Sequence, residues 1–293
     1  MSEPLPAPAP APNPITRLLA PRLSLASCVR AYIVRSTVQA PLADPAQRLN
    51  RFPATPFCAI AWYVAGEAEL VAPPRGPDTP PWQPVLLLGP QTQPTVTYNP
   101  GPVHLFMVVL FPQALHALCG LELPDWVDHW AGLSDVLGPR WAAMSDAVLA
   151  APDDEARVAV LESFLEPLWQ QARLSHPGST GSVAGDWVRR LAVQAAAAGW
   201  GRGVRNIERR IKAWAGQPMR RLRRLRRAEQ SFLDAREAVF AGKLSWTEVA
   251  DRAGYADQAH FSRETREVTG ASPSEIARLG MSDESYWLYR IWA

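Results

Sequence analysis

The sequence predicts an α+β protein of two domains. An N-terminal β-barrel followed by helices precedes a C-terminal all-α domain with two helix-turn-helix units joined by a long helix. Three observations support this prediction. The chain has 293 residues, a length typical of about two domains. Short apolar runs divided by proline, glycine and asparagine fill the first third of the chain, whereas stretches with helical spacing and capping residues fill the last third.

Residues 1–22 begin with a run rich in proline and alanine, which predicts a disordered tail. This run lacks the basic start and apolar centre of a signal peptide. The longest strongly apolar run, Val103 to Phe111, is far shorter than the roughly 20 residues of a membrane-spanning helix. We therefore expect a cytoplasmic protein with no membrane contact.

From Leu23 to about Pro112, short apolar runs alternate with turn residues, a pattern typical of a sandwich or barrel. Helical spacing follows at 112–120, 139–150 and 154–175, so that 23–175 forms one predicted domain. The predicted strands are CVRAYIV, CAIAWYV, AELVA, PVLLLG, TVTY and VHLFMVVLF.

Four side chains of this domain are candidates for an apolar effector pocket: Trp62, Tyr98, His104 and Phe106. Aromatic residues in strands are more often plain core, and this interpretation stays open beside the pocket. The chain has neither a Gly-x-Ser-x-Gly nucleophile motif nor a phosphate-binding glycine loop, and its first four histidines form no close pair. We expect no catalytic residue, no metal and no cofactor.

The chain has three cysteines, Cys28, Cys58 and Cys119, an odd number without an export signal. They are expected to be small buried hydrophobic residues, with a redox-sensing thiol as the alternative. The glycine- and serine-rich residues 176–185 predict a flexible linker between the domains.

The C-terminal helix-turn-helix is predicted from its caps. Ser245 and Glu248 have the spacing of a capping box, so a helix begins at about Trp246. Gly254 ends this helix, and Asp257 caps the next one after a three-residue turn. Two helices joined in this way form a helix-turn-helix, whose second helix enters the major groove of DNA.

The second helix has an apolar face formed by Phe261, Thr265 and Val268, and it ends at Gly270. A second capping box, from Ser272 to Glu275, begins the following helix. Outward-facing positions of the second helix, together with its cap, are the candidate DNA-binding residues: Asp257, Gln258, Ala259, His260, Ser262, Arg263 and Arg266.

A weaker helix-turn-helix is predicted upstream, at residues 195–218. Ile207, Ile211 and Trp214 form its inner face and Gly216 ends it, but three glycines loosen its turn. Its arginines are expected to contact either bases or phosphates. The candidate DNA-binding residues here are Gly203, Arg205, Asn206, Arg209 and Arg210.

Residues 219–242 predict one helix between the two units. At about 1.5 Å per residue it would be about 33 Å long, close to the roughly 34 Å between major-groove faces on one side of DNA. Candidate phosphate contacts are Lys212, Arg220, Arg223 and Arg224.

Charge is distributed unevenly. The whole chain has a formal net charge of only +2. Residues 186–279 nevertheless carry 19 Lys and Arg against 11 Asp and Glu, whereas residues 1–185 carry 10 against 15. The excess of positive charge in the last third is the pattern expected of a DNA-binding domain.

The run EVADRAGYADQAHFSRETREVTGASPSEI resembles the second helix-turn-helix of the AraC/XylS family of transcription regulators. The resemblance implies an AraC-type DNA-binding domain at 186–279 and a cupin-like effector-binding or dimerisation domain at 23–175. It implies a sequence-specific regulator that binds double-stranded DNA, with a small-molecule effector or a homodimer formed by the N-terminal half.

The aromatic C-terminal tail, 280–293, either packs back as core, which we favour, or contacts a partner such as RNA polymerase. Two alternatives to the regulator remain. One is a small-molecule-binding or enzymatic barrel with an inert DNA-binding domain. The other is an architectural or antagonist protein that binds DNA with low specificity.

Overall fold

The computed structural model describes residues 13–72, 82–175, 187–197, 204–240 and 242–291. The predicted linker at 176–185 and the first twelve residues of the predicted tail lie outside these ranges. The N-terminal half contains nine described strands: β1 Ile15–Leu19, β2 Val29–Ser36, β3 Leu49–Phe52, β4 Cys58–Ala65, β5 Glu69–Ala72, β6 Val85–Leu88, β7 Thr95–Tyr98, β8 His104–Leu110 and β9 Trp130–Gly132.

The strands form two antiparallel sheets, one of six strands in the order β1-β2-β8-β4-β6-β9 and one of three in the order β3-β7-β5. Strand β8 lies between β2 and β4, with Val108 opposite both Tyr32 and Ile60. These central strands are buried nearly throughout, which explains why their sequences are continuous apolar runs.

All six predicted strands are present, and the prediction of a closed barrel is wrong. Strands β1 and β9 each pair with only one strand among the described residues, so the larger sheet has two edges. Prolines flank the short strands of the smaller sheet, Pro53 after β3 and Pro94 before β7. Because proline donates no N–H, these residues limit the ladders of the smaller sheet, which among the described residues pairs with neither edge of the larger one.

Strand β1 also corrects the predicted tail, because Ile15–Leu19 pairs with β2 inside the region expected to be disordered. Its pairing residues run from Ile15 opposite Ser36 to Leu19 opposite Tyr32. The segment alternates polar and apolar residues too weakly to predict a strand. Pairing with the buried β2 determines its conformation.

The helices of the N-terminal half confirm the sequence prediction. Each of the three longer ones begins or ends at a predicted boundary, and α1 and α3 begin with a proline at the first helical position. The helices are α1 Pro112–Cys119, α2 Leu133–Val136, α3 Pro139–Ala150 and α4 Asp154–Ser175.

The C-terminal half is helical, as predicted. Its longest helix, α7, spans 22 residues and joins the two helix-turn-helix units. The helices are α5 Trp187–Ala197, α6 Val204–Ala215, α7 Met219–Phe240, α8 Trp246–Arg252, α9 Gln258–Thr269, α10 Pro273–Ser282 and α11 Trp287–Ile291. None of the helices in the described ranges is long and apolar enough to cross a membrane.

The two halves share one hydrophobic core. Leu191 of α5, Ile211 of α6 and Leu222 of α7 are buried in the same cluster as Phe57 and Phe111 of the N-terminal half. The apolar face of each of these three helices is thus covered by residues from the other half of the chain.

Candidate nucleic-acid interface

The C-terminal helix-turn-helix forms as its caps predict. The Ser245 hydroxyl accepts the Glu248 N–H, and the Asp257 carboxylate accepts the His260 N–H at 2.6 Å. Gly254, with a φ of +75°, makes the turn between α8 and α9, in a conformation that glycine adopts without strain. These contacts fix where α9 begins.

The capping box at the start of α10 is complete, because Ser272 and Glu275 each accept a backbone N–H from the other. At Ser245 the described contacts include only one of the two hydrogen bonds of the predicted capping box, from the Glu248 N–H to the Ser245 hydroxyl. The Glu248 carboxylate lies 3.7 Å from Arg252, one turn along α8.

The predicted inner face of α9 is confirmed, since Phe261, Thr265 and Val268 are buried. Phe261 packs with Val249 and Ala250 of α8. The rigid contact between the two helices keeps the opposite face of α9 turned to solvent. On that face Gln258, Ala259, Arg263 and Arg266 are exposed.

The other three candidates of this unit have contacts within the protein. Asp257 is the exposed N-cap. His260 is half-buried, with its ring at 5.3 Å from the Tyr255 ring in an edge-on arrangement. Ser262 is also half-buried.

The two exposed arginines of α9 differ in their contacts. Arg263 forms no ion pair with any described residue, whereas Arg266 lies 3.6 Å from Glu275.

Glu264, which the sequence pattern did not single out, is buried between α7 and α9. Its Oε1 accepts the Tyr255 hydroxyl at 2.8 Å and Arg227 Nε at 3.1 Å, and its Oε2 accepts Arg227 Nη2 at 2.7 Å. Arg224 Nε lies 3.1 Å from the same Oε2. The hydrogen bonds that the Arg227 guanidinium donates to Glu264 raise the pKa of Arg227.

The weaker helix-turn-helix places α6 against the N-terminal half. Its residues Ile207, Ile211 and Trp214 face the shared core as predicted, and its other side exposes Arg205, Arg209 and Lys212. Asn206 is half-buried. Gly203 lies outside the described residues.

Arg210 has a structural contact instead of an exposed position. It is partly buried, and its Nη1 donates to the Ala195 carbonyl of α5 at 3.0 Å. Because this carbonyl lies in the last turn of α5, where helix carbonyls have no partner within the helix, Arg210 closes that helix end.

The arginines of α7 divide into two groups. Arg220 and Arg223 are exposed, in agreement with a role in phosphate contact. Arg221 donates to the Thr92 carbonyl of the N-terminal half, and Arg224 pairs with both Glu264 and Glu267. Arg224, predicted to contact phosphate, is thus already engaged within the protein.

The four side chains predicted to line an effector pocket lie in strands of the two sheets. Trp62 and Phe106 are fully buried with ring centroids 5.9 Å apart, and Trp62 donates to the Ser145 hydroxyl at 2.7 Å. His104 lies 2.9 Å from the Asp154 carboxylate. These side chains and Tyr98 belong to packed sheets, and none of the four lines the large cavity of the molecule.

That cavity, of about 470 Å³, lies between the two halves. Apolar side chains from both halves line it, and it approaches the buried face of α9 at Thr265 and Val268. Representative lining residues are Phe52, Phe57, Met107, Leu225, Phe232 and Trp246. Sequence patterns could not reveal it because its walls are far apart along the chain.

The loop between β3 and β4 joins the cavity to α9. Ala54 lines the cavity, and its N–H donates to the Val268 carbonyl at 2.7 Å. This carbonyl is in the last turn of α9, so the N-terminal half supplies a partner that the helix itself lacks.

The aromatic C-terminal tail packs back on the protein, as favoured from the sequence. Tyr286, Trp287, Leu288 and Tyr289 are buried. The indole of Trp287 donates to Asn50 Oδ1 of β3 at 2.8 Å. These side chains are therefore covered by the protein itself and are not exposed to a partner.

All three cysteines are free thiols, as expected. Burial raises the pKa of Cys28 and Cys58, and it raises the pKa of Cys119 to about 12. Because the thiolate is the reactive form, these thiols are poor nucleophiles at neutral pH. Within the described ranges, no group of three or more His, Cys, Asp or Glu side chains is placed to hold a metal ion.

Among solved structures, the chain is similar to ToxT from Vibrio cholerae. One crystal structure shares 12% identity, covers 78% of this chain and 95% of ToxT, and has a TM-score of 0.37. A second, with an unsaturated fatty acid bound, shares 12% identity, covers 85% and 95%, and has a TM-score of 0.38. Similarity at this level carries no information about the ligand of this chain.

No curated protein matches the chain at a significant level. A family model described as a helix-turn-helix domain matches residues 186–279. This segment holds both structural units described above, α5–α6 and α8–α9, and the helix that joins them. Residues 186–279 of this chain therefore carry a helix-turn-helix domain of the AraC type.

Proposed function

We propose that this protein is a sequence-specific transcription regulator whose helix α9 contacts bases in the major groove. The observation that carries the proposal is the exposed face of α9. Gln258 and Arg263 project from a helix that is capped at Asp257 and packed rigidly on α8. Arginine bonds guanine and glutamine bonds adenine in bidentate geometry, so this face suits base recognition.

In this proposal α6 is the second recognition helix and α7 sets the distance between the two. The exposed Arg205, Arg209 and Lys212 lie on one side of α6. With 22 residues, α7 is about 33 Å long, near the spacing of successive major-groove faces. Arg220 and Arg223 then lie on the helix between the two units, where they contact phosphates.

We further propose that an apolar small molecule in the cavity between the halves controls DNA binding. Three features of the cavity support this proposal: its size, its apolar walls and its contact with α9 through Ala54 and Val268. A ligand there would act on the loop that holds the end of the recognition helix. Self-association of the N-terminal half stays a prediction.

The test is selection of bound sequences from a random duplex library at about 150 mM salt, with the full chain. Arg263→Ala should cost about 1–3 kcal/mol on the selected sequence and relax the preference at one base position. Arg223→Ala should weaken binding to selected and random duplexes alike and reduce the salt slope by about one unit.

The selected sequences also separate the alternatives. Two half-sites about one helical turn apart would support both α6 and α9 as recognition helices, whereas one half-site would support α9 alone. Binding without enrichment of any sequence would favour an architectural protein. Absence of binding would favour a ligand-binding protein with an inert DNA-binding domain, and either of these two results would contradict the proposal.

A further inference from the structure

We propose that Glu264 is a specificity-determining residue whose buried carboxylate withholds Arg224 and Arg227 from the phosphate backbone of DNA. Binding then depends on the base contacts of α9 and less on charge that attracts any sequence. This inference rests on the proposed function, since it concerns the same interface.

The geometry places one carboxylate between two guanidinium groups. Arg227 donates to both oxygens of Glu264, at 3.1 and 2.7 Å, and Arg224 lies 3.1 Å from Oε2. The Arg227 guanidinium also lies over the Tyr255 ring, 4.3 Å from its centroid. Arg224 is held at a second point by the carboxylate of Glu267.

The two arginines remain close to solvent although their partner is buried. The side chains of Arg224 and Arg227 are 31% and 33% exposed, whereas that of Glu264 is 6% exposed. Both belong to the helix that carries the exposed Arg220 and Arg223. Loss of the carboxylate would therefore free Arg227 and leave Arg224 with only the exposed Glu267, which increases the positive charge of a surface that is already positively charged.

Phosphate contacts strengthen binding to every sequence equally, because phosphates carry no base information. Each additional contact adds about 0.9 to the slope of log affinity against log salt concentration. A protein that neutralises surplus arginines internally keeps its affinity for random DNA low. The ratio of specific to random binding is then larger.

A buried ion pair also contributes little net stability by itself. Desolvation of the charges offsets much of their attraction, and apolar side chains of similar volume often stabilise a protein as well or better. The position lies next to the apolar contact of Tyr255 with Phe261, where an apolar residue would pack. The charge of Glu264 thus has a consequence beyond packing.

The experiment measures affinity of the full chain for a random duplex and for its selected sequence at 50 and 200 mM salt. In Glu264→Gln, the ratio of random-duplex affinity at the lower to that at the higher salt should rise about threefold for each arginine released. The preference for the selected sequence should fall. A purely structural role predicts weaker binding to both duplexes, with no rise in that ratio, and this result would overturn the proposal.

Tyr255→Phe is the matched control. It removes a hydrogen bond to Glu264 but no charge, so its salt dependence should equal that of the wild type. A rise in Tyr255→Phe as large as in Glu264→Gln would show that loosening of α9, and not release of charge, is responsible. This too would overturn the proposal.

A second measurement needs no variant and covers the case in which Glu264→Gln does not fold. Arginines of the wild-type protein are modified with phenylglyoxal, with and without random duplex, and quantified by mass spectrometry. Random DNA should protect Arg220 and Arg223 and leave the modification of Arg224 and Arg227 unchanged. Protection of Arg224 and Arg227 in the wild type would overturn the inference.

The two proposals fail in different ways. If the wild type enriches no sequence from the library, the proposed function fails. If the wild type enriches a sequence but Glu264→Gln shows no increase in salt dependence, only the role of Glu264 fails.

Discussion

Individual side chains have two kinds of role at this interface, and their charge does not distinguish them. Arg263 and Arg223 are exposed, whereas Arg210 bonds a helix carbonyl and Arg227 bonds a buried carboxylate. In the sequence all four are arginines on predicted helices. Their burial depends on which elements pack beside them, so the pattern alone assigned Arg210 and Arg224 to the DNA surface.

The pH dependence of stability provides a test of the contact between Tyr255 and Glu264. Burial, together with the hydrogen bond to Glu264, raises the pKa of Tyr255 from 10.0 to about 12. The neutral form is thus favoured in the folded state. The stability that it contributes is complete below pH 10 and is lost as the pH rises from 10 towards 12.

We expect Tyr255→Phe to be less stable than the wild type below pH 10 and to lose less stability above it. The difference in the free energy of unfolding should shrink by about 2 kcal/mol between pH 9 and 12. Chemical denaturation at each pH measures it. Ser262→Ala on the same helix removes no titratable group and should follow the wild-type curve. If stability falls equally with pH in the wild type and in Tyr255→Phe, the raised pKa of Tyr255 would be contradicted.

Helices of the C-terminal half are elements whose limits are encoded locally. Asp257, Gly270 and Ser272 act on backbone groups within three or four residues, so their effects were predictable without knowledge of the fold. Strands β1, β3 and β9 have no such local signal. Each is short and depends on a partner strand that is distant in the chain.

The C-terminal segment from Asp283 to Ile291 joins the two halves as one element. Glu284 pairs with Arg35 of β2 at 2.7 Å, and Phe52 of β3 meets the Trp287 ring edge-on at 6.0 Å. On its other side Tyr289 packs against Phe232 of α7. The segment therefore contacts both the smaller sheet and the DNA-binding domain.

Deletion of residues 283–293 should lower the melting temperature by more than about 10 °C. Burial of Trp287, Leu288 and Tyr289 contributes roughly 1.5–3 kcal/mol for each side chain, and about 1 kcal/mol corresponds to 2–4 °C in a domain of this size. Calorimetry of the full chain and of the deletion variant measures the loss.

Met281→Ser is the control for this deletion, because Met281 is 68% exposed and its loss should leave the melting temperature nearly unchanged. A deletion variant that melts with the wild type would show that the tail contributes little packing energy. The packed position of residues 283–291 would then be incompatible with the melting temperature measured in solution.

In the molecule as a whole, the DNA-binding half and the N-terminal half are not independent. One core extends from the sheets through α5, α6 and α7, and ion pairs such as Arg30 with Glu229 cross between the halves. A change in the N-terminal half would therefore reach α6 and α9, the proposed recognition helices, through packed contacts. The flexible linker predicted at 176–185 is not the only connection between them.

The cavity between the halves gives this arrangement a testable consequence. A series of n-alkanols of increasing length should raise the melting temperature progressively, because each buried methylene contributes about 0.8 kcal/mol until the cavity is full. Ala277→Phe, at the cavity wall, should weaken the effect of the longer alkanols, because its ring takes up part of the space. Thermal melting of the full chain measures both.

Ala143→Phe makes the same change at an exposed position of α3 and should leave the response to alkanols intact. If no alkanol of the series shifts the melting temperature of the wild type, the proposed ligand site is wrong. An equal response in the wild type and in Ala277→Phe would place the binding elsewhere.

The helices of the C-terminal domain and the class of that domain could be predicted from local sequence. The caps at Asp257 and Ser272, the turn at Gly254 and the helical spacing of apolar residues act over a few residues, so they are visible in the chain. Three features follow from tertiary packing instead: the sheets stay open, Glu264 contacts two arginines, and the cavity lies between the halves. These features need residues that are far apart in the chain, and their contacts are created by packing, for which the chain carries no local signal.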